Sequence, residues 1–167
     1  MLAFALHLLE YPDSSGKVAI HPDGEHAKIF DIVGFLVAAG FYKAQSLGST
    51  AYGGHYVRGN QTITVRPASG FGDVVGSLDG RTIIAECKGG VINSNHAGQK
   101  SRLRKGLSEL IGQLMILPNG GERQIAVLPE TEEIQRLSKR LVNRCYVAGI
   151  EIALVRADGT INYISPN

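Results

Sequence analysis

The sequence predicts an α/β domain, a mixed central β-sheet with α-helices on both faces. Three observations carry that expectation. Segments with helical apolar spacing interleave with short β-rich runs, as a sheet covered by helices requires. One pair of β-rich runs brackets Asp79-Gly80, a dipeptide suited to a two-residue hairpin. Of 167 residues, 44% are hydrophobic and 19% charged, enough to bury a single core without disulfide or metal staples.

Taken in order, the first segment is ambiguous. Leu2, Phe4, Leu6 and Leu8 alternate as in a strand, while Leu9 and the alanines suit a helix equally. A turn cluster at Pro12–Gly16 precedes a short strand at Val18–Ile20. Asp23 is suited to cap a helix starting near Glu25, with Ile29, Val33, Leu36 and Val37 at helical spacing and Gly40 as the stop. Ser46 to Gly54 is polar, glycine-rich and without periodicity, and Gln61–Val65 reads as a strand. The hairpin runs from Gly72 to Lys88, and a helix follows over about Gln99–Leu117, with Leu103, Leu107, Leu110 and Leu114 as its apolar stripe. A strand at Gln124–Leu128, a helix from Thr131 to about Ala148, a strand at Glu151–Val155 and a turn at Asp158-Gly159 into Thr160–Ile164 complete the chain. The expected organisation is one domain over 1–167: an N-terminal extension at 1–22, a core over about 23–128, and a C-terminal helix and strands over 129–167.

Composition narrows the function classes. Seventeen Lys+Arg against fifteen Asp+Glu leave a net charge of +2, so a polyanionic partner needs local clustering of cations. Cys87 and Cys145 form no CxxC and no disulfide framework, which fits a reducing, cytoplasmic setting. No run reaches membrane-spanning length. The apolar opening MLAFALHLL lacks the basic flank and cleavage site of a signal peptide, and reads as structure, either core or a dimer surface. Five scattered histidines show no zinc spacing, and no P-loop, GxSxG or correctly spaced GxGxxG occurs.

The hairpin carries the chemistry. If Asp79 and Gly80 form the loop, Leu78 opposes Arg81, and the same register sets Asp73 opposite Glu86. Opposed residues share a face, with Cβ atoms about 4.5–5.5 Å apart. Two carboxylates so placed among Val74, Val75, Ile83, Ile84 and Ala85 repel each other and demand a cation. Period-two alternation puts the Lys88 ammonium on the Glu86 face and Cys87 on the other, where it fills core. A hard divalent ion, Mg²⁺ above all, would complete the balance. The bland alternative is a solvated ion triad at an exposed sheet edge.

Asp73, followed by Glu86-Cys87-Lys88 on the next strand, resembles the core signature of the PD-(D/E)xK nuclease superfamily. These are the restriction-endonuclease-like enzymes, which include archaeal Holliday-junction resolvases. The likeness extends back to Glu25, similar to the first-helix glutamate of resolvase-like members, and forward to Gln113, where several members carry a glutamine. One position departs: Gly72 stands where the family usually has proline.

The resemblance implies a metal-dependent nuclease, with DNA expected over RNA. Asp73, Glu86 and the backbone carbonyl of Cys87 would hold one or two Mg²⁺ ions, with Mn²⁺ as a substitute, activating a water and polarising the scissile phosphate. Lys88 would orient or help deprotonate the water and stabilise growing phosphoryl charge. Glu25 would bind a metal through water or complete a second site. Gln113 joins the catalytic set by the same likeness, although a solvated polar flank is the plain alternative for it. Relatives that cut two strands with two subunits make a homodimer the expected assembly. From the residues themselves, Lys100, Arg102, Arg104 and Lys105 near a helix start, with His96 before it, make a phosphate-gripping surface, against the ordinary reading of a solvated helix face. Two rival functions remain: a nucleic-acid-binding module of the same fold that does not cut, and a protein-interaction domain.

Overall fold

The computed structural model describes residues 1–24, 29–68, 70–89, 97–117 and 120–166. Among them lie four helices, α1 (Leu2–Glu10), α2 (Ile32–Ala38), α3 (Ala97–Ile116) and α4 (Glu132–Val147). The strands are β1 (Lys17–Ile20), β2 (Tyr42–Ser46), β3 (Gly54–Arg58), β4 (Gln61–Val65) and β5 (Val74–Leu78). They continue with β6 (Arg81–Cys87), β7 (Arg123–Pro129), β8 (Ile150–Val155) and β9 (Ile161–Tyr163). All nine form one sheet in the order β2-β3-β4-β1-β5-β6-β7-β8-β9. The sheet is mixed: β1–β4, β6–β7 and β7–β8 pair in parallel, and the other neighbours are antiparallel.

Strand alternation divides the core between the two faces. Ile125, Val127 and Ala153 pack with α1 and α2 through Phe4, Leu8, Ile32 and Leu36. Their neighbours Ala126, Leu128, Ile152 and Leu154 pack with α3 and α4 through Leu103, Leu107, Leu110, Leu114 and Ile134. Helices therefore cover both faces, and the leucine stripe of α3 lies buried as its spacing predicts. The ambiguous N-terminal segment is a helix whose Phe4, Ala5 and Leu8 are fully enclosed, and β1 sits mid-sheet between β4 and β5. Among the described residues no helix is long and apolar enough to cross a membrane.

The first third of the chain differs from its sequence reading. Instead of one helix from near Glu25 to Gly40, the chain breaks at Phe30–Asp31 and α2 starts afresh at Ile32. Its cap is Asp31, whose Oδ1 accepts the Gly34 N–H at 2.8 Å. Ile32 and Leu36 are buried, whereas Ile29 and Val37 are exposed, so the buried face follows an i, i+4 pair that the longer pattern obscured. The stop at Gly40 stands: Gly40 N–H and Phe41 N–H donate to Val37 and Leu36 carbonyls at 2.9 Å each, with Gly40 at φ +84°. That is the paired closure of a Schellman turn. Two strands, β2 and β3, flank the aperiodic Ser46–Gly54 segment, and the sequence reading assigned neither. β2 is almost wholly exposed at the sheet edge, and β3 buries little beyond Gly54 and Tyr56.

Candidate functional site

The β5–β6 hairpin has the register that its turn dictates. Asp79 at φ +50° and Gly80 at φ +71° make a turn with both central residues left-handed, the type I′ geometry that matches strand twist. Leu78 pairs with Arg81, and the ladder continues unshifted to Val74 opposite Ala85. One step further, Asp73 enters the strand beside Glu86 and Cys87, and its Oδ2 accepts the Cys87 N–H at 2.8 Å. On its outer side the Asp73 carbonyl accepts the His21 N–H at 2.9 Å, which ties the aspartate to the strand beyond β5 as well.

Facing follows from alternation. Val74, Ala85 and Cys87 turn toward the α1–α2 side, so Asp73, Glu86 and Lys88 turn toward α3. Asp73, Glu86, Cys87, Lys88 and Gln113 line one cleft of about 440 Å³, together with Asp23 and Met1. The cleft opens at the C-terminal end of β6, where β6 runs parallel to β7 and the chain leaves for α3. Carboxyl ends of parallel strands are the usual ligand crevice of open α/β sheets.

The electrostatics of this cleft are those of an under-compensated acid pair. Burial, then the neighbouring Asp73 charge, lift the Glu86 carboxyl to about 7, and Lys88 only partly opposes them. Asp73 is also raised, chiefly by burial, with the Cys87 N–H pulling the other way. The Cys87 thiol is pushed up to about 11 by burial, so it is inert filler, as its facing predicts.

Lys88 shares the face but not the expected partner. Its Nζ lies 3.1 Å from Glu109 Oε2 on α3, and Lys105 Nζ stands 3.7 Å from the other oxygen of that glutamate. Burial of the Glu109–Lys88 pair is slight, and the hydrogen bond from Lys88 holds the Glu109 carboxyl below its ordinary range. Gly106 makes the approach possible: a Cβ there would meet Lys88 Cγ at 3.0 Å, so the lysine stem lies along the bare backbone of α3. Glu109 is the residue that sequence reasoning did not assign. Its signal was present, because it stands one helical turn before Gln113 on the same face.

The cationic cluster of α3 divides. Arg102 and Lys105 line a second cleft of about 410 Å³, which shares Lys88 and Gly89 with the first. Arg104 turns away to α4 and pairs with Glu133 at 2.8 Å, on the side that Lys100 also faces electrostatically. Glu25 and His96 lie outside the described residues. Among the described residues no group of three or more His, Cys, Asp or Glu side chains gathers as an ion cage. The carboxylates on the lining of this cleft are those of Asp73, Glu86 and Asp23, all hard oxygen donors. Mg²⁺ suits such a partial set, because it keeps several waters and needs only one or two carboxylates.

Gly72 explains the missing proline. It takes φ +82°, and a Cβ on it would come within 2.7 Å of Ile84 Cγ2. Proline is locked near φ −65° and cannot enter Asp73 along this path.

Comparison with protein-family models, with curated proteins and with solved structures found no match to this chain.

Proposed function

We propose that the chain is a Mg²⁺-dependent nuclease with a restriction-endonuclease-like core, hydrolysing phosphodiester bonds in DNA in preference to RNA. The observation that carries this reading is the acid pair itself. Asp73 and Glu86 line one half-buried cleft, where burial and the Asp73 charge raise the Glu86 carboxyl and Lys88 only partly opposes them. Such a pair is costly in an apolar sheet unless a cation is its regular companion. Asp73, Glu86 and the Cys87 carbonyl would hold Mg²⁺, or Mn²⁺ in its place. When bound, the ion supplies Lewis-acid activation of a water and of a phosphoryl oxygen.

The chain's own residues do the rest. The Cys87 N–H donates to Asp73 Oδ2, which fixes the carboxylate, and Oδ1 would be the oxygen offered to the ion. Lys88 would bring its ammonium toward the charge that develops on the phosphate. Gln113 offers an amide able both to donate to and to accept from an attacking water. A cytoplasmic setting and a homodimer able to cut two strands belong to the same proposal.

The test is direct. Purified protein is incubated with Mg²⁺ or Mn²⁺ and with linear, supercoiled or branched DNA, or with RNA. DNA cleavage that vanishes with chelator and in Lys88→Ala is the expected result. If every substrate survives, the reading passes to a nucleic-acid-binding module that does not cut. Two observations favour that second reading: among the described residues no group of three or more potential ligand side chains forms an ion cage, and Lys88 rests on Glu109.

A further inference from the structure

The second cleft has the make-up of an anion site. Lys88, Arg102 and Lys105 line it with a single carboxylate, Glu109, in a concave space of about 410 Å³, so cations outnumber carboxylates on its described lining. Glu109 rests between the two lysines, at 3.1 Å from Lys88 and 3.7 Å from Lys105. Arg102 has no ion-pair partner among the described residues. A carboxylate held by two ammonium groups shows where an oxyanion sits, and its exposure to solvent makes it easy to displace. Leu103 and the lysine stem give the wall an apolar stretch suited to a sugar. Because Lys88 and Gly89 belong to both clefts, a strand crossing the acid pair continues directly into this one.

We propose that this cleft is a binding site for a backbone phosphate of the nucleic-acid strand, next to the one held at Asp73 and Glu86, and that Glu109 is the internal anion it displaces. Entry of the phosphate takes over Lys105 and Arg102 and frees Lys88 from Glu109 to turn toward the neighbouring phosphate. The site separates strand-holding from the acid pair, and it leaves Arg104 with Glu133 on α4, outside the track. The adjacency to a scissile phosphate rests on the nuclease reading; the anion site does not.

Two probes test it on the full chain in chelator: inorganic phosphate and a short single-stranded oligothymidylate. Arg102→Ala and Lys105→Ala should each weaken oligonucleotide binding about tenfold and flatten its salt dependence by about 0.7 in log–log slope, the share of one phosphate contact on a single strand. Glu109→Gln should tighten both probes, and Glu109→Asp should restore the wild-type value. Arg102→Lys and Lys105→Arg should keep most of the affinity, and melting curves verify that each variant is folded. Unchanged affinity and salt slope in the alanine variants would overturn the proposal, as would no tightening in Glu109→Gln. Loss of phosphate binding with oligonucleotide binding untouched would overturn the strand assignment. The two readings fail separately. If these binding changes hold but no nucleic acid is cut with any metal, the nuclease reading falls and this site stands. If DNA is cut while the binding changes are absent, only this site falls.

Discussion

Asp73 accepts the backbone N–H of Cys87 at 2.8 Å, so one acid of the candidate site is anchored to the strand that carries the other. The bond makes the carboxylate pair a property of the hairpin rather than of flexible side chains. Asp73→Asn keeps an acceptor for that N–H and removes only charge. It should abolish metal-dependent cleavage, by more than the roughly 10–100-fold typical of losing an outer-shell partner. DNA binding should persist or tighten, because repulsion of phosphates is reduced. Cleavage and binding measured side by side check this, and retained cleavage would remove Asp73 from the site.

The raised Glu86 carboxyl predicts a pH dependence with a definite sign. Its folded value, about 7, exceeds its ordinary 4.5, so between these the folded chain holds a proton that the unfolded chain has released. The associated stability is present below pH 4.5 and is lost as pH rises through 7. Discounted for half exposure, the loss should be about 1–2 kcal/mol, or several degrees of melting temperature for a chain of this size. In chelator, wild type should lose this between about pH 4.5 and 7, and Glu86→Gln should not. Mg²⁺ should close the gap at the alkaline end, because the ion takes the place of the proton. Parallel melting curves for the two proteins would show that Glu86 is not held in a charge-poor cleft.

Gly72 is a conformational requirement rather than a substitute for proline. At φ +82° an L-residue is strained, and the Cβ would press on Ile84 at the foot of the site. Gly72→Ala should destabilise the fold by about 1–3 kcal/mol, and Gly72→Pro by more. Denaturant midpoints measure both. A proline variant as stable as wild type would mean that the chain enters β5 by another path.

How far the sequence revealed this arrangement depends on which signals were local. The hairpin register was legible because Asp79-Gly80 fixes the turn type and the turn fixes every pair outward to Val74 and Ala85. Helix α3 was legible because its four leucines share one buried face. Strands β2 and β3 were not: at the sheet edge β2 has no face to bury, so it carries no alternation. The break before α2 was hidden because Ile29 and Val37 extend a helical pattern that the fold leaves exposed. At the site, the shared facing of Asp73, Glu86 and Lys88 could be read from alternation alone. Glu109's place on the Gln113 face could also be read, but its pairing with Lys88 could not, because that depends on how α3 lies over the sheet.

Gly106 sets that packing. It is buried on α3, and the Lys88 stem occupies the space its missing side chain leaves. In Gly106→Ala, helix propensity alone favours alanine by about 1 kcal/mol. The added methyl, 3.0 Å from Lys88 Cγ, must push the lysine, and a flexible stem yields more readily than backbone. Thermal stability should therefore hold or rise slightly while Lys88 is displaced from Glu109. If Lys88 reaches the phosphate from this stem path, the shifted stem misplaces its ammonium, and cleavage should fall in this variant without loss of fold, in kcat rather than in DNA affinity. Melting and single-turnover kinetics together decide it. Full activity in Gly106→Ala would mean that the lysine reaches its working position by a route that does not run along the α3 backbone.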